Sequence, residues 1–155
     1  MSVTNLTSLY VEDTLNFGTA LQVGGVELLN TSVDALVKVA KVTLGITTGA
    51  GGLLSWVNPE STPIIVTRLV VDVTTSASGV TTADFGPATG GDQTGDTLID
   101  GIDIGTAAIL GDNIDDAGTS GLSKVKVPIS EYLVGAASAD PASVVGTAYI
   151  YYLVT

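Results

Sequence analysis

The sequence predicts an all-β chain, a jelly-roll-like antiparallel β-sandwich of about eight strands with an N-terminal arm. Three observations lead there. The stretch "IIVTRLVVDVTT" alternates apolar and polar residues at period two, as a half-buried strand does. The segments that resemble it are rich in Val, Thr, Ile and Tyr, whose branched or aromatic side chains suit a pleated surface. Between them lie stretches such as "TTGAGG", "GPATGGDQTGD", "GDNIDDAGTSG" and "GAASADPAS", which supply the Gly, Asp, Asn and Pro that chain reversals need.

The elements follow in chain order. Residues 1–35 mix isolated apolar residues with polar ones and read as an arm or edge segment, leaving residues 36–155 as the sandwich domain. "TSVDALVKVAK" could open a helix capped by Ser32. Strands are expected at 39–46, at 53–57 and in the long segment after Pro63, where Ile65, Leu69, Val71 and Val73 share one face and Arg68 and Asp72 form an ion pair on the other. Further strands are expected at 80–85 and 123–129, the latter alternating Lys124 and Lys126 with Val125 and Val127. "DTLIDGIDIGTAAIL" could hold one helical turn, weakened by Gly101 and Gly105. No repeat at a period of about 20 to 50 residues is visible, which argues against a β-helix or propeller.

The last strand, "GTAYIYYLVT", is apolar on both sides. Alternation puts Ala148, Ile150, Tyr152 and Val154 on one face and Tyr149, Tyr151 and Leu153 on the other. One face belongs to the core. The other needs cover from the arm, a crossing loop or a neighbouring subunit, and tyrosines suit a subunit interface because each joins apolar area to a hydroxyl that tolerates partial wetting.

Composition limits function. Sixteen acidic residues against five basic ones give a net charge of −11, which repels nucleic acid and anionic lipid. No long apolar run suggests a membrane span, and the first residues lack the pattern of a secretory leader. With no cysteine there is neither a disulfide nor a thiolate metal site, and with no histidine the commonest general base is missing. The chain therefore reads as a non-enzyme without a cofactor. "GGDQTGDT" has the glycine spacing of a phosphate loop, but Asp96 stands where that motif requires lysine. The acidic stretch Asp92 to Asp116 invites a calcium reading, yet matches no EF-hand order of oxygens and reads better as solvated turns. Trp56 reads as a core or interface residue, and the glycosylation-like tripeptides at Asn5 and Asn30 as chance matches in a Thr-rich chain.

The succession "VNPESTPIIVTRLVVDVTT", "TLIDGIDIGTAAI", "DNIDDAG" and "GTAYIYYLV", over residues 36–155, resembles small virion structural proteins of tailed bacteriophages. That resemblance implies a jelly-roll decoration or cement protein, made in the host cytoplasm, that sits as a trimer on the capsid surface and bridges the major capsid protein. It further implies that Leu6, Leu9, Tyr10 and Phe17 touch the capsid or a neighbour, and that Tyr149, Tyr151 and Leu153 form a subunit interface. The alternative expectation is a carbohydrate- or receptor-binding sandwich from a fibre or tail, with Trp56 and Tyr132 at its sugar site.

Overall fold

The computed structural model describes residues 20–23, 26–30, 37–45, 52–77, 79–141 and 143–155. The chain divides into two units, residues 1–33 and 34–155. In the first, β1 (Ala20–Val23) pairs antiparallel with β2 (Val26–Asn30), Ala20 opposite Asn30 and Val23 opposite Val26, where the sequence predicts only an arm or edge segment.

The second unit holds β3 (Lys38–Leu44), β4 (Gly52–Val57), β5 (Ile64–Thr75), β6 (Thr82–Ala88), β7 (Ile99–Asp103), β8 (Ile109–Asp112), β9 (Val125–Val127), β10 (Tyr132–Ala137) and β11 (Val145–Val154). Among the described residues there is no helix. A four-stranded sheet runs β4-β10-β6-β7 and a five-stranded sheet runs β3-β11-β5-β8, with β9 beside β5, and every pairing is antiparallel. With the short β9 set aside, the first strand pairs with the last (β3 with β11), the second with the second-last (β4 with β10), and the inner pairs are β5 with β8 and β6 with β7. This is one long hairpin rolled until β11 meets β5 and β10 meets β6, the jelly-roll arrangement.

The two sheets bury one apolar core between them, with Leu54, Phe85, Ile99 and Leu133 from the four-stranded sheet and Leu69, Val71, Ala148 and Ile150 from the other. Strand β5 departs from simple alternation. Thr67 is skipped where Tyr151 faces Arg68 and Tyr152 faces Val66, and this bulge reverses the facing of everything before it. Ile64 and Val66 are therefore buried with Leu69, Val71 and Val73, while Ile65, expected in the core, lies on the outer face. The Thr67 hydroxyl donates to the Tyr151 carbonyl across the bulge at 3.2 Å, so the irregularity still carries a cross-strand bond.

Three strands escape the sequence reading. The stretch expected to hold a helical turn forms β7 and β8 instead, and "KVAK" lies in β3 and not in a helix, while Ser32 lies outside the described residues. Strand β10, read in part as turn text, occupies an inner position of its sheet. Leu133 through Ala136 are all buried, so both faces are covered and no alternation marks the strand. Its Gly135 accommodates the Phe85 ring, which a Cβ at that position would approach to 2.4 Å.

Candidate functional site

The jelly-roll order makes β11 an inner strand of the five-stranded sheet, flanked by β3 and β5. Ala148 and Ile150 are fully buried and Tyr152 is 5% exposed, so alternate residues Tyr149, Tyr151 and Leu153 point to the outer face, where all three are half-buried. Directly opposed residues share a face, which extends the surface in rows across the sheet. One row reads Thr43, Thr147, Asp72, Leu110, and the next Lys41, Tyr149, Val70, Asp112. A third reads Val39, Tyr151, Arg68, and a fourth Leu153, Ile65, Lys126.

The centre of this face is aromatic and aliphatic, and its margins are charged. Val39 is 53% exposed and Leu110 72%, both large for aliphatic side chains on a sheet. The Lys41 ammonium sits 5.8 Å from the centre of the Tyr149 ring, within cation–π range. At the other margin Arg68 reaches Asp112, its Nε donating to Oδ2 at 3.0 Å and its Nη2 closing a salt bridge. The expected Arg68–Asp72 pair is not what forms, since β8 sets Asp112 opposite Val70, two residues along the same face from Arg68, within reach of the guanidinium. Asp112 Oδ1 also accepts the backbone N–H groups of Ile114 and Asp115. Burial pushes its carboxyl up, but the bonds from the Asp115 N–H, Arg68 and the Ile114 N–H together hold it below the ordinary aspartate value.

Charge is distributed unevenly over the two sheets. Lys38, Lys41, Arg68 and Lys126 lie on strands of the five-stranded sheet and Lys124 immediately precedes β9, which accounts for all five basic residues; the four-stranded sheet has none. On the inner side of β11, the Tyr152 hydroxyl donates to Glu60 Oε1 at 3.0 Å and the Lys38 ammonium donates to the same carboxylate at 3.0 and 3.1 Å. The Lys38 and Tyr152 bonds hold the Glu60 carboxyl below its usual value, while burial and then the Glu60 bond push the Tyr152 phenol up to about 12. These contacts hold the end of β11 in place.

The acidic stretch serves the turns. Asp103 accepts the N–H groups of Gly105 and Thr106, Asp100 that of Ser120 and Asp116 that of Asp112, while Asp84 of β6 accepts that of Gly101 in β7. Among the described residues no group of three or more acidic, His or Cys side chains is arranged to hold a metal ion. Gly95 of "GGDQTGDT" likewise has a packing role: a Cβ on it would lie 2.8 Å from the carbonyl carbon of Gly86 in β6, and one on Gly86 would lie 2.8 Å from the Thr97 nitrogen. The segment lies against β6, and it leads into β7 and not into the helix that a phosphate loop needs.

The sequence-predicted residues separate accordingly. Tyr149, Tyr151 and Leu153 come together on one face. Leu6, Leu9, Tyr10 and Phe17 lie outside the described residues. Trp56 packs on the core with its ring 5.5 Å from that of Tyr152, as a core residue should. It stands opposite Leu133, so Tyr132, one residue along β10, points to the other side of the sheet and the two rings form no common sugar platform. Sequence reasoning missed Val39, Ile65, Val70 and Arg68 as neighbours of the tyrosines, because strand pairing is not written in any single segment and the bulge hides the facing of Ile65. No protein-family model, curated protein or solved structure matches this chain.

Proposed function

We propose that this chain is a non-enzymatic virion structural protein that decorates and stabilises a phage capsid, through self-association and contacts with the major capsid protein. The reading rests on the resemblance of its strand text to phage virion proteins, and one structural observation supports it. That observation is a jelly roll whose outer sheet face gathers Tyr149, Tyr151, Leu153, Val39, Ile65 and Val70 into a continuous, partly exposed apolar surface. Such a surface is suited to binding another protein surface. In this account the tyrosine face mediates self-association, and the segment containing Leu6, Leu9, Tyr10 and Phe17 reaches the capsid.

Co-sedimentation with purified heads of the phage that encodes the chain tests this. The full chain pellets with the heads, whereas residues 18–155 stay in the supernatant while melting at the same temperature as the full chain. Failure of the full chain to pellet overturns the decoration reading. Equal pelleting of the truncated chain removes the arm from it.

A further inference from the structure

We propose that the outer face of the five-stranded sheet binds the same face of a second copy of this chain about a two-fold axis running along the strands between β11 and β5. The inference deepens the self-association of the proposed function and rests on that part of it. It comes from the order of residues along each cross-strand row. A two-fold parallel to the strands exchanges β3 with β8 and β11 with β5 and keeps each row in place. The row Lys41, Tyr149, Val70, Asp112 then lies on its own reverse, with lysine at one end, aspartate at the other and apolar side chains between.

The other rows behave the same way. Tyr151 of one copy falls over Arg68 of the second, an aromatic ring over a guanidinium. Leu153 falls over Ile65, and the Thr147 hydroxyl over the Asp72 carboxylate. Each Lys41 falls at the end of β8 of the second copy, where the exposed Asp115 stands beside the Arg68–Asp112 pair. Face-to-face sheets pack about 10 Å apart with strands within roughly 30° of alignment, which leaves these rows in register near the axis. The match is notable on a chain of net charge −11, since an arbitrary pairing of two such surfaces sets like charges against each other. A two-fold requires one self-complementary patch, whereas the trimer implied by the resemblance requires two different ones.

The chain contains no cysteine, so introduced thiols report only the intended contact. Thr43 and Leu110 are exposed and occupy the two ends of one row, three strand spacings or about 14 Å apart within a chain. The proposed axis brings Thr43 of one copy over Leu110 of the other while keeping like positions apart. A mixture of Thr43→Cys and Leu110→Cys chains, treated with a bis-maleimide of about 10 Å span to match the face-to-face sheet spacing, should therefore give a cross-linked dimer that neither variant gives alone. Tyr151→Glu should abolish the dimer seen by light scattering, with an unchanged β-sheet circular dichroism spectrum showing that the chain still folds. If that variant fails to fold, the cysteine pair decides. Absence of a mixed cross-link, equal linking in the single-variant samples, or a wild-type chain that is monomeric or trimeric overturns the proposal. Co-sedimentation with phage heads is read separately, so loss of the pairing is distinguishable from loss of the decoration reading.

Discussion

Asp112 shows how one carboxylate organises a corner of the molecule. It takes the Arg68 guanidinium on Oδ2 and two backbone N–H groups on Oδ1, and these bonds hold its folded-state pKa below the unfolded value. A lowered folded pKa contributes stability that is fully present above the unfolded value of about 3.9 and is lost as pH falls through the folded one. Wild-type melting temperature should therefore drop as pH falls below about 4, and Asp112→Asn should flatten that limb while lowering the neutral-pH plateau. Parallel acid limbs for the two proteins would show that other carboxylates carry the dependence. Neighbouring Asn113 is 1% exposed; its Oδ1 accepts the Leu69 N–H at 2.7 Å and its Nδ2 donates to the Leu122 carbonyl at 3.2 Å. Asn113→Ala leaves the Leu69 donor buried without an acceptor, and urea unfolding should register a loss of about 2 kcal/mol.

At the level of elements, legibility followed periodicity. Strand β5 was readable because one covered and one open face impress alternation on the text, and β11 was readable because its two apolar faces still alternate in burial. Strand β10 was not, since cover on both faces erases the pattern and Gly135, Ala136 and Ala137 resemble turn text. The β5 bulge defeated a purely periodic reading of Ile65 for a different reason: one unpaired threonine changes which face every earlier residue occupies. The tyrosine face was visible as an unexplained set of apolar residues, whereas its neighbours on β3 and β5 required the pairing. Glycine close to backbone is a second feature that only the fold reveals. Gly86→Ala forces a Cβ against backbone atoms of Gly95 to Thr97, which cannot rotate aside, and should cost on the order of 2 kcal/mol in urea unfolding. Gly45→Ala, with no described residue within 4 Å of the added carbon, should stay within about 1 kcal/mol of wild type. Equal costs would mean that the loop over β6 yields readily.

For the molecule as a whole, the rolled hairpin, the placement of all five cations on or beside the five-stranded sheet and the apolar rows of its outer face belong to one description. The roll places the last strand inside a sheet, so β11 has no free edge and can meet a partner only through its outward side chains. Opposite charges at the two ends of a row then favour a second copy of the same surface. The most direct test is the native mass of the full chain by size-exclusion chromatography with light scattering, over a range of concentrations. The account predicts twice the 15.6 kDa chain mass, falling towards a single chain on dilution. A single-chain mass at every concentration would contradict self-association through the tyrosine face.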